Sequence, residues 1–234
     1  MVEKYKDYLE KAMSYYYDEL TFVKYYRRVP KSRYHSYNFL LDYINKNNLK
    51  NIVELGTIRS FVDGRFEGCN MDDIKYWEPN NPEKWDWSAG FFTRIMAEFL
   101  NKTCKIETID TNNNHLNRCK LINKKYKNVS YICSTSEKYL RNLDTQKDVF
   151  YLDTGDMTPI EDMALLQLLE AHLIVDNNLL VKNGLIVLNN VRNPITKING
   201  EENDYGRAKY TIPYLLENGF EIVFDEFVVI LKKI

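Results

Sequence analysis

Apolar and polar positions along the chain fall into short runs that change period again and again. Residues 1–48 are helical in pattern and rich in aromatics, with clusters at Tyr15-Tyr16-Tyr17 and Tyr25-Tyr26. Pro30 divides them into a leading helix and a second one near Ser36 to Asn45, where Phe39, Leu40, Tyr43 and Ile44 share a face. Asn51–Leu55 is a short apolar run suited to a strand buried on both faces. Ser88–Leu100 then reads as a helix capped by Ser88, with Phe91, Phe92, Ile95, Met96, Phe99 and Leu100 on one stripe. The alternation continues with strands at Ile106–Ile109, Val129–Ile132 and Val149–Leu152, and polar helices at Asn114–Lys125 and Glu137–Leu143.

Thr158-Pro159-Ile160-Glu161 carries a helix start signal, a Thr cap followed by Pro at the first helical position and Glu at the third. The pattern runs the helix to about Leu180, stopped by Asn183-Gly184, before a strand at Leu185–Leu188. A polar loop from Asn190 to Asp204 leads to a weaker helix at Arg207–Glu217, interrupted by Pro213. Phe220–Phe224 and Phe227–Leu231 are separated by Asp225-Glu226 alone, which predicts an antiparallel hairpin. Strands alternating with helices predict an α/β fold with a mostly parallel sheet and right-handed crossovers.

Composition narrows the reading only a little. The chain has 234 residues, 32 Lys+Arg against 33 Asp+Glu, and 44% hydrophobic residues, which is ordinary for one globular domain. A formal charge of −1 argues against a dedicated nucleic-acid binder, although a local basic patch is compatible with it. No apolar run approaches the roughly 20 residues of a membrane helix. The opening Met1–Asp7 carries charges of both signs and no apolar core, so a cytoplasmic protein is expected. Cys69, Cys104, Cys119 and Cys133 form no C-x-x-C pair and are expected to be free thiols.

Ligands of open α/β sheets bind beyond the carboxyl ends of the strands, so the residues that follow each strand carry the candidate chemistry. These are Glu54–Arg59, Asp110–Asn112, Ser134–Ser136, Asp153–Asp156 and Asn189–Arg192. Gly56 allows a close backbone approach, and an acid at Asp110 suits the two hydroxyls of a ribose. Gly56 to Phe61 has only the first glycine of a G-x-G-x-x-G turn, which argues against a dinucleotide and for a nucleoside without a diphosphate.

VELGT (Val53–Thr57), ETID (Glu107–Asp110), YLDTGD (Tyr151–Asp156), NGLIVLNNV (Asn183–Val191) and the closing hairpin occur in this order. From about Ser36 to Ile234 the chain thereby resembles the class I S-adenosylmethionine-dependent methyltransferases. Within them it looks most like the metal-dependent O-methyltransferases related to catechol and caffeoyl-CoA methyltransferases. The resemblance implies a Rossmann-like seven-stranded sheet with a C-terminal antiparallel hairpin and helices on both faces, and the helical pattern of residues 1–35 is read as an extension ahead of it. It implies S-adenosylmethionine as cofactor, with Glu54, Gly56 and Thr57 lining its methionine part, Asp110 on the ribose, and Ser134 and Ser136 near the adenine. It also implies a divalent metal such as Mg²⁺ held by Asp153 and an Asp-Asn pair.

This chain departs from that pattern twice. Asn189-Asn190 stands where Asp-Asn is expected, which leaves less charge to hold a cation. Asp156 stands where the catechol branch has a lysine, and is read as a ligand, a general base or a turn residue beside Gly155. Metal-assisted and metal-free transfer both stay open at this point. The second departure is an insertion over residues 58–87, with Gly64, Gly68, Arg59, Arg65, Asp72-Asp73 and all 3 tryptophans, Trp77, Trp85 and Trp87. It reads as a lid or acceptor wall over the cofactor, with a contact between copies of the chain as the rival. Of the histidines, His172 is expected to be structural, His115 is read as a solvated helix-start residue with a place beside the adenosine as the alternative, and His35 is not a candidate base. The reading that follows is transfer of a methyl group to a hydroxyl of a small polar acceptor such as a sugar, with Asp153 and Asp156 as catalytic residues. A metal-free O- or N-methyltransferase and a non-catalytic cofactor-binding subunit are the alternatives.

Overall fold

The computed structural model describes residues 34–58, 91–155, 159–191 and 205–234. The leading helix, most of the 58–87 insertion, Ser88, Asp156, Thr158 and most of the 190–204 loop lie outside the described residues. In chain order the elements are α1 (Tyr34–Lys46), β1 (Asn51–Leu55), α2 (Phe92–Phe99), β2 (Lys105–Asp110), α3 (Asn113–Ile122), β3 (Val129–Cys133), α4 (Ser136–Arg141) and β4 (Lys147–Leu152). They continue with α5 (Ile160–Asp176), β5 (Leu180–Leu188), a 3₁₀ turn at Gly206–Ala208, α6 (Thr211–Glu217), β6 (Phe220–Asp225) and β7 (Val229–Lys233).

The strands form one seven-stranded sheet in the order β3-β2-β1-β4-β5-β7-β6. β1 pairs in parallel with both β2 and β4, and β7 runs antiparallel between β5 and β6. The expected Rossmann-like architecture with a terminal antiparallel hairpin is therefore present. Strand alternation splits the core into two layers. Ile52, Val149, Tyr151, Leu185, Val187 and Ile230 face a layer with Tyr37, Leu40, Ile44, Ile95 and Met96. Val53, Leu55, Phe150, Leu152, Ile186 and Leu188 face the other, with Leu140, Ala171, Ile174, Ile212 and Leu215. Helices α1 to α3 thus cover one face and α4 to α6 the other, which is why the central strands read as unbroken apolar runs.

Several boundaries differ from expectation. The fifth helix ends at Asp176, because Asn177 and Asn178 turn the chain, the latter at φ 51°. Leu179 and Leu180, whose apolar side chains continue the helical pattern, already lead into β5, and Asn183-Gly184 lies inside that strand. There the register with β4 shifts between Lys147 and Val149, and a Cβ on Gly184 would sit 2.9 Å from the Asp148 carbonyl oxygen, so glycine permits the irregularity. Pro159, expected at the first helical position of α5, is its extended N-cap residue at φ −68° and ψ 140°. Helix α2 starts at Phe92, preceded by Phe91 in a left-handed conformation at φ 49°. Pro213 is tolerated because it falls in the first turn of α6, where its missing N–H has no helical partner to lose.

The sheet order reverses at β1, since the chain runs outward to β2 and β3 and then returns to β4 on the other side. That reversal opens a crevice beyond the carboxyl ends of β1 and β4. Among the described residues no helix is long and apolar enough to cross a membrane.

Candidate functional site

A cleft of about 350 Å³ occupies this crevice, lined by the residues that follow four parallel strands. Gly56 and Thr57 come from β1, Asp110 and Thr111 from β2, Ser134 to Ser136 from β3, and Asp153 to Gly155 from β4. Six of the residues singled out from the sequence, Gly56, Thr57, Asp110, Ser134, Ser136 and Asp153, therefore meet in one cleft. The volume falls in the range of small-molecule sites.

Asp110 is the best-anchored of them. Its Oδ2 accepts the Thr57 amide at 3.2 Å, and its Oδ1 accepts the Asn112 amide at 2.7 Å and lies 3.2 Å from His115 Nδ1. Burial would raise its pKa, but His115 and these two amides outweigh burial and hold the carboxyl below its ordinary value. It is thus an ionised acceptor at the end of β2 with its orientation fixed by the β1 loop. His115 follows from the turn into α3, whose cap Asn112 accepts the Asn114 amide at 2.9 Å. The histidine lines the cleft, so it is part of the site.

Glu54 lies off this cleft. It is 4% exposed and receives the Thr93 hydroxyl at 2.7 Å and the Thr108 hydroxyl at 2.5 Å. With Thr57, Phe92, Tyr151 and Asp153 it lines a second cavity of about 10 Å³, room for one water molecule. Burial, partly offset by the threonine hydroxyls, pushes its pKa from 4.5 to about 7. A carboxyl raised on folding favours the folded state while it is protonated. Its contribution is complete below the unfolded value near 4.5 and is lost as pH rises toward 7. Glu54→Gln, which keeps an oxygen for both hydroxyls, is expected to match the native protein in Tm at pH 5 and to exceed it at pH 8. Melting curves at the two pH values check this, and a Tm advantage equal at both would contradict it.

Of the implied metal residues only Asp153 lines the cleft. Asn189 is fully buried, Asn190 is left-handed at φ 57°, and neither lines the cleft. Asp153 instead has the Arg207 guanidinium for a neighbour, Nη1 standing 3.6 Å from its Oδ1. Among the described residues no group of three or more His, Cys, Asp or Glu side chains is placed to hold an ion. These residues do not fit Mg²⁺. The cleft does fit an adenosine-containing cofactor, with an ionised acceptor at Asp110, hydroxyls at Ser134, Thr135 and Ser136, and apolar walls from Ile109 and Leu166.

Two residues at this site were not reached from the sequence. Glu170, from the middle of α5, is fully buried and accepts the Thr154 hydroxyl at 2.6 Å. Burial raises its pKa to about 7, against the opposing pull of the Ser136 and Thr154 hydroxyls and of Arg207. Arg207 arrives on the 3₁₀ turn after the polar loop and donates through Nη2 to the Thr154 carbonyl. Neither carries a local signal, because each reads as one polar residue of an amphipathic helix. His172, expected to be structural, packs its ring on α6, while His35 makes an exposed contact. His35 reaches the Glu226 carboxylate at 3.2 Å, and the His172 ring lies 3.9 Å from that of Tyr214.

Seven strands in this order, with the cleft at the β1/β4 reversal, define the methyltransferase form of the Rossmann-like fold. No protein-family model and no curated protein matches the chain. Solved structures do. The N-methyltransferase NodS from Bradyrhizobium japonicum WM9 matches with a TM-score of 0.51 at 13% identity, over 86% of this chain and 96% of its own. The SAH-bound methyltransferase PaMTH1 from Podospora anserina matches with a TM-score of 0.51 at 16% identity, over 96% and 86%. NSun6 from Pyrococcus horikoshii with SFG matches with a TM-score of 0.51 at 15% identity, over 82% of this chain and 51% of its own. At such identities the likeness establishes the fold, in keeping with the motif resemblance, and leaves the metal-dependent subtype unconfirmed. Nor does the fold support the expectation that nucleic acid is excluded as an acceptor, since one fold hosts acceptors of many kinds.

Proposed function

We propose that the chain is an S-adenosylmethionine-dependent methyltransferase acting on a hydroxyl of a small polar acceptor. The observation that carries this reading is the meeting of Gly56, Thr57, Asp110, Ser134, Ser136 and Asp153 in one cleft at the sheet's reversal point. Two of the relatives in fold are described with SAH or SFG bound, which supports the same cofactor here. When bound, that cofactor supplies an electrophilic methyl group on a sulfonium sulfur.

The rest is done by the chain's own residues. Asp110 accepts from the ribose hydroxyls, and Ser134 and Ser136 flank the base. Gly56 and Thr57 border the methionine part on the β1 side, with Glu54 behind them as a buried support. Asp153, a quarter exposed on the cleft wall, faces the acceptor. It accepts a hydrogen bond from the acceptor hydroxyl and so sets the oxygen in line with the methyl group. Most of the acceleration then comes from orientation. With the cofactor bound, a carboxylate at Asp153 or Asp156 would take the hydroxyl proton as the methyl group passes from sulfur to the acceptor oxygen. Metal-free transfer is the form of the reaction favoured by the Arg207–Asp153 pair, and the 58–87 insertion is assigned to acceptor choice.

Calorimetric titration of the full chain with S-adenosylhomocysteine tests the reading. Saturable binding at one site per chain is expected, followed by transfer of a labelled methyl group to a hydroxylated acceptor from a panel of sugars and other polar metabolites. Absence of S-adenosylhomocysteine binding by a folded sample overturns it.

A further inference from the structure

We propose that Arg207 stands beside Asp153 in place of a divalent cation, as a positioning residue that compensates the carboxylate and closes it to metal. The inference rests on the cleft being the methyl-transfer site, and it names a residue that neither the motifs nor the fold assign. Four observations carry it.

First, the guanidinium is fixed at two points. Nη1 lies 3.6 Å from Asp153 Oδ1, and Nη2 donates to the carbonyl of the next residue, Thr154. Only the planar fork of an arginine spans both with separate nitrogens, and a lysine offers a single point. Second, the side chain is 5% exposed while that of Asp153 is 25% exposed, so the cation lies behind the carboxylate and leaves it facing the cleft. Third, the turn that presents Arg207 is itself held. Gly206, Arg207 and Ala208 are all buried, and next to them Lys209 and Tyr210 both reach the Glu161 carboxylate at the start of α5. Fourth, the same dipeptide is gripped from α5, since the Thr154 hydroxyl donates to Glu170 at 2.6 Å.

A buried guanidinium beside Asp153 already compensates that carboxylate. A divalent ion at Asp153 would lie against the guanidinium, and among the described residues no group of three or more His, Cys, Asp or Glu side chains is placed to hold it. Removing the guanidinium reverses the situation. The positive charge beside Asp153 would be gone, and a soluble cation would be drawn to that carboxylate.

The test titrates Mn²⁺ into the full chain and follows free ion by electron paramagnetic resonance. The native protein and Asp153→Asn are expected to bind Mn²⁺ equally weakly. Arg207→Gln is expected to bind it at least tenfold more tightly than the native protein, and the gain should vanish in the Asp153→Asn, Arg207→Gln double variant. A role in packing alone would lower Tm without creating an Asp153-dependent ion site. The proposal is overturned if the native protein binds Mn²⁺ tenfold or more tightly than Asp153→Asn does, or if a folded Arg207→Gln gains nothing. Should Arg207→Gln fail to fold, the comparison of native protein with Asp153→Asn decides the matter alone. Titration with S-adenosylhomocysteine in the absence of metal separates the two claims, because its failure overturns the methyltransferase reading and leaves the Mn²⁺ result standing.

Discussion

Asp110→Ala is expected to weaken S-adenosylhomocysteine binding by roughly 100-fold or more, the largest functional effect of any single change in the cleft. Two hydrogen bonds from a ribose diol to an ionised acceptor contribute about 1.5–3 kcal/mol each, and every 1.4 kcal/mol is about tenfold in affinity. The substitution has a second consequence, because the same carboxylate receives the Thr57 amide at 3.2 Å and the Asn112 amide at 2.7 Å. Without it the β1 loop and the turn into α3 lose their common anchor, and His115 loses its partner. Asp110→Asn keeps an acceptor oxygen and the volume but not the charge, so an intermediate loss is expected. Calorimetry on the native protein and both variants, with melting curves as a folding control, measures this. Affinity unchanged in a folded Asp110→Ala would remove Asp110 from the cofactor site.

Gly56→Ala is expected to cause the largest loss of stability. The backbone there is at φ +83°, and an added Cβ would fall 2.5 Å from the Asp153 carbonyl oxygen and 2.9 Å from the Thr154 Cα. The left-handed conformation costs an alanine about 1–2 kcal/mol, and the clash is with backbone of the neighbouring strand end, which cannot move aside as a side chain would. A total near 3 kcal/mol corresponds to a fall in Tm of roughly 6–12 °C in a chain of this size. Gly219 is the control. It has φ +81° but nothing within 4 Å of an added Cβ, so Gly219→Ala should carry the conformational cost alone. Equal Tm losses at the two positions would show that the close approach of β1 to β4 is not what requires glycine at 56.

The contrast between these two glycines also shows what could be read from the chain. Strands buried on both faces announce themselves as apolar runs, so β1, β4 and β7 were legible, and the alternation of strands and helices made β2 legible beside them, with the residues at their carboxyl ends. Asp110 could be found because strand end, acid and nearby glycine lie in two short segments. Helix ends were less legible. Leu179 and Leu180 are apolar whether they close α5 or open β5, and only pairing with Lys147 decides between the two. Arg207 and Glu170 were not legible, because their meaning lies in an approach across 53 residues of chain between Arg207 and Thr154 and 16 between Glu170 and Thr154. The Asn-Asn pair that raised the question of metal sits in sequence after β5, yet the answer comes from a turn after the next loop. Asp156 and the tryptophan insertion lie outside the described residues and keep the standing they have from sequence.

The placement of β7 has a consequence for how the molecule is made. This strand lies between β5 and β6 and supplies both of their ladders on that side, with Val229, Ile230 and Leu231 fully buried. During synthesis, β5 leaves the ribosome with one edge unpaired and waits for a strand more than 40 residues downstream, counted from Leu188 to Val229. A chain interrupted between them carries an open edge that is apolar on both faces, the kind that templates aggregation. The last strand of the sheet thus closes it from within.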